Sequence, residues 1–245
     1  MIRKRLSIVI AGLIAAVVVT GGPSSAGAEG AVRSYRVTIV NLTEGQPFTP
    51  PVLVTHRRPF EVFEVGAPST FEVTEIAENG NAGPLLAAAA AEEQVADVVA
   101  AGMPIVPAAN PGGTPFASTM TLMIDASEGA KYLSWVSMLI CTNDGLTGLD
   151  AVRLPAQVGD VVVRETAGYD NGSERNTEDF ADIVPPCQGL IGVGSGEAGT
   201  GTSNPALAEG DVIRHHPGIV GGADLVPGVH GWTDPVARVT IERVA

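Results

Sequence analysis

The chain has 245 residues, enough for one domain with a sizeable core or two small ones. Its 14 Lys and Arg stand against 27 Asp and Glu, a formal charge of −13, so no clustered basic footprint for nucleic acid is expected. Aromatics at 4%, with 30 Gly and 18 Pro, argue against a helical bundle or coiled coil, and an apolar content of 45% argues against wholesale disorder.

Arg3, Lys4 and Arg5 are followed by an apolar run over residues 6–19 and by the small-residue pattern Ala26-Gly27-Ala28. This predicts a secretory signal over residues 1–28, cleaved after Ala28. The run is shorter than the roughly 20 residues that span a bilayer, and no transmembrane segment is expected in the mature chain. The signal holds three basic residues and no acidic one, so its removal takes the charge from −13 to −16. An acidic, exported, extracytoplasmic protein is the expectation. Cys141 and Cys187 both lie in the exported part, where two thiols are expected to pair; the alternative is two buried free thiols.

Residues 34–40 alternate polar with apolar and read as a first strand. A turn-rich loop follows to Pro51, then short extended pieces near residues 51–56 and 60–65. Residues 84–101 read as one helix: Pro84 suits a first turn, Gly102 a stop, and Val95, Val98 and Val99 keep helical spacing. Strand signals return at residues 119–124, at 132–140 (the longest and most apolar run, containing Trp135) and at 161–164. Residues 189–201 are glycine-rich and read as a loop. Residues 237–243 alternate again, and a last strand so near the C-terminus is expected to pair with an early one. The pattern is mainly β.

Gly194, Gly196 and Gly199 match G-x-G-x-x-G, but no helix follows them, so they carry no dinucleotide site. His215, His216 and His230 are a candidate metal set for a secreted hydrolase. Adjacent histidines on a strand point to opposite faces, however, and no H-E-x-x-H spacing is present. Asp125, Asp144 and Asp170 all fall at predicted strand ends. Gathered at one rim they would repel unless a cation sat among them, and carboxylates with carbonyls and waters form the hard oxygen set that Ca²⁺ prefers. The alternative is ordinary turn chemistry, since Asp stabilises turns through its own backbone.

Ser134-Trp135-Val136-Ser137-Met138-Leu139-Ile140, followed by Thr142-Asn143-Asp144, resembles the core of the spondin N-terminal domain family. Asp170-Asn171-Gly172-Ser173-Glu174 resembles that family's Asp-Ala-Gly-Thr-Asp turn. Ala77-Glu78-Asn79-Gly80 and the closing Ala237-Arg238-Val239-Thr240-Ile241 are similar to further elements, so the likeness runs from Tyr35 to Val244. It implies one domain over residues 29–245, an antiparallel β-sandwich akin to a C2 domain with one inserted helix. It also implies a Ca²⁺ ion held by Asp125, Asp144 and Asp170, with Glu78 and Glu174 as open candidates. The function implied is a non-enzymatic adhesion or ligand-binding module whose partner is a glycan or a matrix or cell-surface protein. A metal-dependent hydrolase and a structural envelope protein without metal are the alternatives.

Overall fold

The computed structural model describes residues 32–245. The expected signal segment lies outside them. The described residues form an antiparallel β-sandwich. Its strands are β1 (Arg33–Asn41), β2 (Val52–His56), β3 (Val95–Ala100), β4 (Thr119–Ala126), β5 (Tyr132–Met138), β6 (Gly145–Arg153), β7 (Val161–Thr166), β8 (Gly168–Asp170), β9 (Arg214–His215) and β10 (Ala237–Arg243). One sheet runs β4-β1-β10-β7 and the other β3-β2-β5-β6-β8-β9. The expected closure is present: β10 lies antiparallel to β1, with Val37 opposite Ile241.

Period-two alternation sets the sandwich core. Tyr35, Val37 and Ile39 of β1, with Val239 and Ile241 of β10, face Leu53, Leu133 and Trp135 of the second sheet. The other face of that second sheet is buried too. Val52, Val54, Val136 and Met138 pack beneath Val73 and Ile76 of α1 (Phe71–Asn79) and Leu85 and Ala89 of α2 (Gly83–Ala91). Coverage on both faces explains why residues 132–140 are apolar on both sides of the strand, interrupted only by the buried Ser134 and Ser137.

The helical content differs from the single inserted helix expected. Helix α1 starts at the N-cap Thr70, whose side chain accepts from the Val73 N–H, and stops at Gly80 in the left-handed region at φ 64°. Helix α2 ends at Ala91, and Val95, Val98 and Val99 lie on β3 instead, opposite His56, Val54 and Leu53. Their spacing imitates a helix, but β-branched side chains gain more from pairing along β2. Two short helices, α3 (Pro186–Ile191) and α4 (Pro227–His230), lie in the long connections after β8. A disulfide joins Cys141 to Cys187 on α3.

Candidate functional site

The site grows from the turn that reverses β5 into β6. Gln46 clamps its start: Gln46 Oε1 accepts the Cys141 N–H at 3.0 Å and Gln46 Nε2 donates to the Cys141 carbonyl at 3.0 Å. Thr142 Oγ1 donates to the Leu139 carbonyl at 2.6 Å and accepts the Gly145 N–H at 2.8 Å. The disulfide at Cys141 ties the same turn to α3. Asn143 and Asp144 are thereby held rigidly with their side chains inside the protein.

Both reach into the loop that follows β8. Asn143 Oδ1 accepts the Thr177 N–H at 3.0 Å. Asp144 Oδ2 accepts the N–H groups of Ser173 at 2.8 Å and Glu174 at 2.9 Å, and the Ser173 hydroxyl at 3.2 Å. The Asn171 N–H donates to the Asp144 carbonyl, and Asp170 stands opposite Gly145 in the β6–β8 ladder. Asp170 Oδ1 accepts the Gly172 N–H at 2.8 Å, while Asp170 Oδ2 accepts from Asn176 at 2.7 Å and from Arg214 at 3.4 Å. Gly172 is required here. It holds φ 72°, and a Cβ would stand 2.6 Å from the Val212 carbonyl. Glu178 completes the loop, accepting the N–H groups of Val220, Gly221 and Gly222.

The electrostatics of this corner are unusual. Asp144 and Asp170 are both fully buried. Burial pushes the Asp144 carboxyl up to about 7; the Glu174 N–H opposes the rise and the neighbouring Asp170 charge adds to it. Asp144 Oδ1 has no hydrogen-bond partner, and neither has Asn171 Oδ1. The two residues belong to one network, because Asn171 Nδ2 donates to Ser173 Oγ, which donates to Asp144 Oδ2. A buried acceptor left unpaired costs roughly 1–3 kcal/mol, more when charged. These are the two free oxygens a hard cation could take, with further lone pairs on Asp170. Glu174 turns elsewhere. Its Oε1 accepts the Asn204 N–H at 2.6 Å, and burial, joined by the charges of Glu78 and Asp182, raises its carboxyl to about 7. Glu78 Oε2 is likewise buried without a partner.

The three expected aspartates do not gather. Asp125 is an exposed residue of β4, its carboxylate accepting from Ser34 Oγ at 2.6 Å. Its carbonyl accepts from Thr55, which lies opposite Leu133 near the start of β5. Asp144 follows the far end of β5, so strand length alone separates the two by about 20 Å. The physical reason is direction: β4 ends where β5 begins. Among the described residues no three His, Cys, Asp or Glu side chains are grouped to hold a metal.

The histidines are dispersed as well. His215 is exposed and bonded to Asp234. His216 is buried against Trp232, its Nδ1 accepting the Gly218 N–H at 2.9 Å. His230 Nδ1 accepts the Val226 N–H at 3.0 Å. Another polar cluster resembles a nucleophile pair but is wired otherwise. His56 Nε2 meets Ser134 Oγ at 2.8 Å, yet Ser134 Oγ donates to Asp150 at 2.9 Å, accepts the Ala151 N–H and is wholly buried. That hydroxyl secures a strand irregularity and cannot reach a substrate.

Gln46, Asn143, Asn171, Asn176 and Glu178 escaped the sequence reading. The signal available was the density of Asn and acidic residues over residues 170–178, which ordinary turn chemistry also explains. Beside the Asp144 turn a half-open cleft of about 380 Å³ is walled by Pro50, Phe116, Ile140, Val184, Pro186 and Leu190 and is almost entirely apolar.

No family model matches this sequence. The ice-binding protein K3-B1 of Typhula ishikariensis is 28% identical over 142 residues, 57% of this chain and 56% of that protein. The chain therefore spans about half the length of that curated relative.

Proposed function

We propose that this protein is a secreted, non-enzymatic β-sandwich module whose Asp144–Asp170 corner binds Ca²⁺ and whose loops at that corner engage an extracellular ligand. One observation carries the reading: a fully buried carboxylate, Asp144, leaves Oδ1 without any hydrogen-bond donor while its neighbour Asp170 adds a second negative charge. Asp144 Oδ1 and Asn171 Oδ1 would supply the free donors, Asp170 a further one, and waters or carbonyls the remainder of a six- to eight-oxygen shell. The ion would supply positive charge at Asp144, since the Arg214 guanidinium in this corner is bonded to Asp170. The chain's own residues do the rest. Ser173 and Glu174 hold Asp144 by its other oxygen, Asn176 and Arg214 orient Asp170, and the disulfide fixes the turn.

The adjoining apolar cleft suits an apolar anchor from a matrix or cell-surface protein better than a glycan, whose hydroxyls would lose water there without compensation. The test is thermal unfolding with Ca²⁺ against chelator. Ligand at 100 times its Kd stabilises by about 2.7 kcal/mol, which for a chain of this length raises Tm by about 5–10 °C. Identical melting curves would refute the reading.

A further inference from the structure

Strand β7 ends its sheet, paired on one side with β10 only. The opposite edge of that sheet, β4, is tied to β3, where Asp97 accepts the Asp125 N–H at 2.9 Å. The C-terminal end of β7 is also covered, since Thr166 Oγ1 meets Thr147 Oγ1 of β6 at 2.8 Å. What remains without a strand on its outer side among the described residues is Asp160, Val161, Val162, Val163 and Arg164, where the Val163 carbonyl accepts from the Arg164 guanidinium, which would have to release it on pairing.

Exposed edges are normally blunted by a charge within the strand or by proline. The first three residues of β7, Val161 to Val163, carry neither; Val161 is 53% and Val163 48% exposed, with Asp160 before them and Arg164 and Glu165 after them within the strand. Elsewhere on this sheet Arg36 pairs with Glu242 and Arg238 with Glu165, while Arg33 and Arg243 donate to main-chain carbonyls. Arg164 donates only to the Val163 carbonyl, and the Asp160 carboxylate accepts only the Gln157 N–H. Neither has an ion-pair partner among the described residues.

We propose that this edge pairs with the same edge of a second copy, antiparallel and centred on Val162. The segment is self-complementary in that register. Val162 meets Val162 of the other copy, Val161 meets Val163 twice, and Asp160 meets Arg164 twice. Shifting by two residues loses both ion pairs. Shifting by one sets inward side chains against outward ones. The two four-stranded sheets become one continuous eight-stranded sheet, and the contact is isologous and closed. General repulsion between two acidic chains is screened beyond about 8 Å at physiological salt, whereas the paired charges lie closer than that.

Sedimentation velocity on the full chain at physiological salt tests this, with melting temperature as the check on folding. The wild type is expected to shift from monomer to dimer over the micromolar range. Arg164→Asp sets Asp against Asp twice and is expected to weaken the dimer at least tenfold. Asp160→Arg is expected to do the same. Combining the two restores opposite charges and is expected to restore dimerisation. A wild type that stays monomeric at high micromolar concentration would overturn the proposal. So would a dimer that ignores the single charge reversals, or a folded double variant that remains monomeric.

Discussion

Asp144 and Asp170 sit side by side where β6 and β8 begin to pair, both wholly excluded from solvent, and only Asp170 has a partner on each of its oxygens. That asymmetry sets the character of the corner. Asp144 is braced from one side by two main-chain N–H groups and open on the other. Such an arrangement needs a proton or a cation to neutralise it.

Asp144→Asn separates structure from ion binding. The amide oxygen keeps the N–H groups of Ser173 and Glu174, and the amide nitrogen takes the place of the orphaned oxygen. In chelator the variant is expected to melt at or above the wild-type temperature, and with Ca²⁺ to show no further rise. A retained Ca²⁺ response would remove Asp144 from the site.

Asp125→Asn is expected to change nothing in that assay. The residue lies at the other end of β5, bonded to Ser34 in solvent. Exposed substitutions of this kind stay within about 0.5 kcal/mol. Loss of the Ca²⁺ response on this change would show that the three aspartates act together after all.

The buried histidines give an acid limb to stability. Burial lowers the His216 pKa to about 4, and His56 and His230 are lowered by burial as well. A depressed basic group contributes stability that is complete above its unfolded value of about 6.5 and is lost as pH falls through the folded value. For His216 this amounts to roughly 3 kcal/mol. Asp144 runs the opposite way, because its raised value favours the folded state at low pH and that stability is lost as pH rises through about 7. The comparison is therefore between wild type and His216→Gln in urea at each pH. The wild-type advantage is expected to shrink between pH 6.5 and 4; a constant difference would show that His216 does not titrate on unfolding.

Removing the disulfide with Cys141→Ala and Cys187→Ala together reopens a loop with a sequence separation of 46. Chain entropy puts the loss at about 4 kcal/mol. Because Cys141 opens the Asp144 turn, Ca²⁺ affinity is expected to fall with it, read as a smaller rise in Tm at fixed Ca²⁺. An unchanged rise would mean that Gln46 and Thr142 hold the turn unaided.

Much of the sandwich was legible because alternation writes itself into sequence. The strand at residues 34–40, the central strand around Trp135 and the closing strand all stand where the pattern set them. Strand β6 was not legible: Gly145-Leu146-Thr147-Gly148 carries weak alternation and two glycines, and its burial comes from β5 and β8 on either side. Helix α1 was missed although Thr70 and Gly80 bracket it, because its apolar face is short. At the site, Asp144 and Asp170 could be paired by their places after successive strands. Asp125 has the same signature, and only strand direction, which sequence does not state, assigns it to the opposite end. That Glu174 keeps its carboxylate away from Asp144 depends on its bond to the Asn204 N–H, a contact made across thirty residues.

Calorimetric titration of Ca²⁺ into the purified, chelator-stripped protein, side by side with Asp144→Asn, bears most directly on the proposed ion. One Ca²⁺ per chain is expected for the wild type and no binding heat for the variant. Absence of a saturable heat in the wild type, or the same isotherm from both proteins, would contradict a cation at the Asp144–Asp170 corner.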